Sequence, residues 1–207
     1  MLSRVELLLF LLAVLLLLVA WVAKHKASLW SMLICTTVFL CSVGWSFLQR
    51  KSYRAIKVYN VGYELAVAFI DKRRVALVSS FDSLTHARLS RLVLPDLQTY
   101  VRIEDIVFYP VSLKAGEQIL LRTNLGTVGI MTGGRNPRTW PVCDLLIGRQ
   151  LSLSELVDPR NQAAVNMLVL DGSNRNTVLQ ELSTKLAGSA VPFYVLKNNF
   201  AYVWEEK

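Results

Sequence analysis

Two uncharged stretches near the N-terminus constrain this chain more than any other feature. From Leu7 to Ala23 run 17 almost wholly apolar residues (LLLFLLAVLLLLVAWVA), and from Leu29 to Leu48 another 20 (LWSMLICTTVFLCSVGWSFL). At about 1.5 Å of rise per residue, each is long enough as a helix for a hydrocarbon core about 30 Å thick. Only KHKAS separates them. The pattern predicts a transmembrane α-hairpin within residues 1–49, with helices at about 7–23 and 29–48. A cleaved signal peptide is the competing reading of the first run, because MLSR is a short basic start. The run exceeds the roughly 7–15 residues of a signal core, and a second run follows at once.

These runs also account for the composition. A mean hydropathy of +0.39 is high for an ordinary soluble domain, and the excess lies in residues 1–49. The net charge of +8 is similarly localised. Residues 1–57 hold seven Lys/Arg against Glu6, four of them (Arg50, Lys51, Arg54, Lys57) in a basic juxtamembrane linker at 50–57. Residues 58–207 keep sixteen of the 23 basic and fourteen of the 15 acidic residues, which gives little electrostatic support for nucleic-acid binding. Basic residues at both ends of the hairpin place the termini of a free-standing two-span protein in the cytoplasm. Cys35, Cys41 and Cys143 form no disulfide framework and are expected to be small buried hydrophobes.

Residues 58–207 suffice for one core of ordinary size. Runs rich in Val, Ile, Tyr and Phe between Ile56 and Ser79 predict a three-stranded meander. A short helix is expected in FDSLTHARLSRLVLPDLQ, ended near Pro95. Residues 103–113 read as a strand, and 118–131 as a hairpin turning at Asn124-Leu125-Gly126. A loop, GGRNPRTWP, leads to the strand CDLLIG and a short helix at 152–157 that Ser152 or Ser154 could cap. Strand, turn, helix and strand then follow from Asn166 to Leu196 as a βαβ unit, with a last strand at 201–204. The expected class is mixed α/β.

Catalytic residues are scarce. With His25 and His86 as the whole histidine complement, the chain cannot supply the five or six His/Asp ligands of a dinuclear metal hydrolase. Gly133-Gly134 lacks the Lys and the spacing of a phosphate loop. The sharpest polar cluster is Asp171-Gly172-Ser173-Asn174, between a buried strand and a helix, where α/β folds place ligand contacts. Turn chemistry explains it equally: Asp and Asn bond nearby backbone, and Ser or Asn caps the helix. A metal-independent hydrolase built on Asp171 or Ser173 would lack a base.

Taken in order, these segments resemble the C-terminal metallo-β-lactamase-like domain of the ComEC family, membrane proteins of natural competence that pass single-stranded DNA into the cell. IKVYNVGYELAVAFIDKRRVALVSS is similar to the family's opening strand, glycine turn and two further strands. QILLRTNLGTVGIMTGG is similar to the hairpin that ends in Gly-Asp, and CDLLIGRQLSLSELV to the segment that ends in a His-His pair and a serine-rich helix start. NMLVLDGSNRNTVLQELSTKLAGSAVPFYVLKNNFAYVWEE is similar to the closing strand, Asn-containing turn, helix and hairpin. The resemblance spans roughly 56–207 and implies a degenerate, shortened metallo-β-lactamase-like αββα fold. It also sets Gly134 where a metal-bridging Asp would stand, and Arg149-Gln150 where the His-His pair would stand.

The resemblance therefore implies a membrane-anchored, metal-free ComEC-like module with no cofactor and no catalysis, associated with DNA uptake. Its expected setting is the cell membrane as a multi-pass protein, and its expected partners are the lipid bilayer, the rest of an uptake channel and single-stranded DNA. Charge counting puts the domain in the cytoplasm, whereas metal-bearing relatives carry it outside. Arg135, Arg138, Trp140, Arg149 and Arg175 are the candidate nucleic-acid contacts, against the plain reading of surface arginines balanced by acids. The alternative is a membrane-tethered scaffold, a truncated gene product with no DNA role.

Overall fold

The computed structural model describes residues 4–23, 26–134, 139–152, 154, 164–185 and 191–205. It divides into two compact units, Met1–Tyr53 and Arg54–Lys207.

In the first unit the apolar runs form α1 (Arg4–Ala23) and α2 (Lys26–Ser52). The two pack on each other, with the Phe10 and Phe39 rings 5.8 Å apart. Large apolar side chains, Leu8 and Leu40 among them, stay exposed. The expected transmembrane hairpin is corrected here. A crossing needs about 20 consecutive, mainly apolar helical residues, and among the described residues no helix is long and apolar enough to cross a membrane. The multi-pass placement drawn from these runs is therefore not supported. Cys35 is buried as expected, while Cys41 is exposed.

The second unit is a mixed α/β domain, with two five-stranded sheets among the described residues. The meander forms as expected: β1 (Arg54–Tyr59), β2 (Ala66–Asp71) and β3 (Arg74–Ser79) pair antiparallel. Lys72 takes the positive φ of 59° that its tight turn requires. The next strand, β4 (Ile106–Pro110), adds parallel to β3. The last, β10 (Ala201–Glu205), returns to pair antiparallel with β1. The second sheet contains the hairpin β5 (Gln118–Thr123) and β6 (Gly126–Thr132), followed by β7 (Cys143–Arg149), β8 (Val165–Leu170) and β9 (Phe193–Val195). From β6 to β9 all pairings are parallel. Strands covered on both faces read as nearly unbroken apolar runs, which is why CDLLIG shows no alternation.

The sheets face each other across one core. Ile56, Val58, Val67, Phe69 and Val78 from the first meet Val128, Ile130, Leu145, Ile147 and Val169 from the second. Each outer face carries helix. Met131, Leu146, Leu168 and Leu170 pack with Val178 and Leu179 of α5 (Asn176–Lys185). On the first sheet, Lys57 and Tyr59 point the other way, and both bond Asp96 in α4 (Leu94–Leu97), at 2.7 and 2.6 Å. The short helix ends at Leu92, near Pro95 as expected, but Pro95 itself opens a second helix. It lies in the first turn of α4, directly after α3 (Ala87–Leu92), where its missing N–H costs nothing. His86 is the N-cap of α3, its Nδ1 accepting from Arg88 N at 3.3 Å. Of the helix expected at 152–157, residues 153 and 155–157 lie outside the described residues.

Ile147 is fully buried between the sheets. Ile147→Ala should lower unfolding free energy by about 2–5 kcal/mol, measurable by urea denaturation followed by tryptophan fluorescence.

Candidate functional site

Parallel pairing aligns the C-terminal ends of β6, β7 and β8, with Thr132 opposite Arg149 and Gly148 opposite Leu170. Open parallel sheets gather ligand contacts at such an edge. Here the three strands deliver Gly133-Gly134, Arg149-Gln150-Leu151 and Asp171-Gly172-Ser173-Asn174. The turn after β1 (Asn60–Leu65) reaches the same place from the other sheet.

The centre of the site is an ion pair. Arg149 Nε donates to Asp171 Oδ2 at 2.8 Å, and the two side chains are only 7% and 2% exposed. Arg149 Nη2 also donates to the carbonyl of Tyr63, tying the β1–β2 turn to the end of β7. The other carboxylate oxygen, Oδ1, accepts from Ser173 N at 3.0 Å, from Ser173 Oγ and from Asn174 Nδ2 at 3.2 Å. Burial pushes the Asp171 carboxyl above the usual carboxylate range, against the opposing pull of the Arg149 charge and the Ser173 donors.

The expected polar turn is thus assembled, but it faces inward. Asn174 does not cap α5 as turn chemistry suggested. Its Nδ2 donates to Gly148 O at 2.8 Å, and its Oδ1 accepts from Leu151 N at 3.0 Å. Ser173 Oγ accepts from Gln150 N at 3.2 Å. Both side chains lock the 148–151 backbone, where Gln150 adopts a φ of 48°. A non-glycine residue in this left-handed region needs such outside support.

Backbone closeness explains two of the glycines. A Cβ on Gly134 would lie 2.8 Å from the Gly116 Cα, and one on Gly133 would collide with Gln150 O. An aspartate at 134 does not fit this backbone. At 149 the guanidinium carries a permanent charge and has no lone pair for a metal. The residues therefore do not fit the metal that the resemblance would place here. Among the described residues, no three His, Cys, Asp or Glu side chains come together as a metal-binding group.

The candidate nucleic-acid contacts are scattered. Arg149 and Trp140 are buried. Arg135 and Arg138 lie outside the described residues, and Arg175 is exposed just before α5. What sequence reasoning missed is an open cleft of about 780 Å³ on the solvent side of the ion pair, with Tyr63, Gln150, Ser152, Arg175, Asn176 and Lys197 in its wall. Lys197 stands well beyond Lys185, where α5 ends, too far along the chain for local pattern to link it to Arg175. The turn after β9 holds it there, with Nζ 3.3 Å from Asn174 O.

Facing sheets, with a buried arginine–aspartate pair at the strand ends of one of them, define a mixed α/β domain. The chain belongs to the family described as the ComEC C-terminal domain, which matches residues 56–206. That membership relates the protein to competence and DNA uptake, in a family that is generally membrane-associated. No curated protein and no solved structure matches the chain.

Asp171→Asn leaves the Arg149 charge buried without a counter-charge and should cost about 3–5 kcal/mol of stability. A double replacement of the pair by apolar residues (Arg149→Met with Asp171→Leu) should recover much of that loss. Urea unfolding of the three proteins checks both outcomes, and a fully stable Asp171→Asn would contradict the structural weight given to the pair. Burial also pushes the Cys143 thiol up to about 11. Cys143 should therefore resist a thiol reagent near neutral pH until the protein unfolds, while exposed Cys41 reacts at once.

Proposed function

We propose that residues 54–207 form a metal-free, non-catalytic ComEC-like module of DNA uptake, with single-stranded DNA and the rest of an uptake channel as its partners. The observation that carries this reading is Arg149. It stands where the resemblance puts a metal-binding histidine pair, and it is bound to Asp171 inside the protein. A fixed positive charge at that point would repel a divalent cation, and the carboxylate paired with it, Asp171, is already neutralised by it. Gly134 supports the same reading, since the backbone excludes the side chain a bridging aspartate would need. A metallo-β-lactamase-like origin is supported by the two facing sheets with helices on their outer faces.

The reading is tested with the full chain purified in the presence of Zn²⁺ or Mn²⁺. Elemental analysis should find less than stoichiometric metal, and end-labelled single-stranded DNA should survive incubation unchanged. Stoichiometric metal, or strand cleavage that disappears in Asp171→Asn, would overturn it.

A further inference from the structure

The cleft over the ion pair has the chemistry of a nucleotide site. Two cations enter it from separate elements, Arg175 from the turn before α5 and Lys197 from the turn after β9, and both are exposed. Among the described residues, neither forms an ion pair, and no carboxylate lines the cleft. Asp171, next to the cleft residues Ser173 and Asn174, is buried and held by Arg149. Asn176 opens α5, which has no acidic residue in its first turn. The N–H groups of a first turn have no partner within their own helix and attract anions. The N-cap position is held by Arg175, whose carbonyl accepts from Leu179 N and whose side chain has no acceptor, and the Ser173 and Asn174 side chains before it are bonded to Asp171, Gly148 and the 150–151 backbone.

Size and an aromatic rim narrow the ligand. A volume of about 780 Å³ is far more than inorganic phosphate fills and lies in the range of sites for whole organic ligands. Tyr63, 71% exposed, stands in the wall with its ring available as a stacking surface. Its backbone carbonyl is fixed by Arg149 Nη2, so the aromatic group is carried on a pinned turn.

We infer that this cleft binds one nucleotide of a single strand, its phosphate between Arg175 and Lys197 and its base against Tyr63. The inference deepens the proposed role in DNA uptake and rests on it for the identity of the strand. It needs no metal and no chemical step.

Fluorescence anisotropy with labelled oligo-dT in ~50 mM salt tests it, using the full chain and its variants. Arg175→Gln combined with Lys197→Gln should weaken binding at least roughly tenfold, and should flatten the plot of log K against log salt by about 0.7, the value for one lost phosphate contact on a single strand. Tyr63→Ala should weaken binding roughly tenfold with little change in that slope. Arg122→Gln, at the hairpin end of β5 opposite Thr127 and away from the Thr132 edge, should bind as the parent does. Circular dichroism confirms that each variant is folded. Parallel titrations with inorganic phosphate, and with the oligonucleotide carrying a 5′-phosphate or a 5′-hydroxyl, separate the sources of the anion. The inference is overturned if the double variant matches Arg122→Gln in affinity and slope, if inorganic phosphate competes as well as the strand, or if the parent binds no oligonucleotide. None of these outcomes touches the metal-free, non-catalytic reading, which metal content and strand survival decide separately.

Discussion

The guanidinium of Arg149 is the hub on which the strand-end region depends. Taking one arginine and one aspartate out of water costs several kcal/mol per ion. Their attraction offsets this only when the remaining donors and lone pairs are also satisfied. Here they are supplied by Tyr63 O on one side and by Ser173 and Asn174 on the other. The pair thereby holds together three stretches of chain far apart in sequence: the turn after β1, the end of β7 and the turn after β8. A bound metal can draw together the strand ends of a sheet edge. In this domain a side chain does so with a fixed charge and a fixed fork of donors.

The glycines around this hub record how tightly the backbones pass. Gly172 would place a Cβ 2.7 Å from Gly62 O and 2.8 Å from Asn60 Oδ1, so the β8 turn and the β1 turn touch along their main chains. Asn60 continues the connection, its Nδ2 donating to the carbonyls of Leu196, Lys197 and Asn199 at 3.0–3.1 Å. The two sheets are therefore joined at one edge by polar backbone contacts as well as by their shared apolar core. The position of Lys197 in the cleft follows from this chain of bonds.

Much of the fold was legible because it is local. The meander, the hairpin at Asn124–Gly126 and the βαβ unit each declare themselves within about thirty residues, through β-branched runs broken by turn residues. The return of β10 to β1 was not legible, since a pairing between opposite ends of the domain leaves no periodic signal. In the site, residue types and positions were visible but directions were not. Arg149 looked like a surface contact, and Ser173 and Asn174 looked like helix caps, until their partners placed all three inside. The apolar runs at the front formed helices, as their composition suggested. Length and hydropathy of a sequence window, however, do not by themselves establish a bilayer crossing.

The pairing of β10 with β1 has a consequence for the order in which the domain can be made. Of the strands among the described residues, β1 leaves the ribosome first and β10 last, yet they are neighbours in one sheet, in register from Ala55–Glu205 to Tyr59–Ala201. Until the final strand emerges, β1 keeps an open edge of unpaired N–H and C=O groups, the kind of edge that recruits foreign strands. Completion of the first sheet thus waits for β10, and the second sheet, built from strands that lie between them in sequence, can assemble earlier.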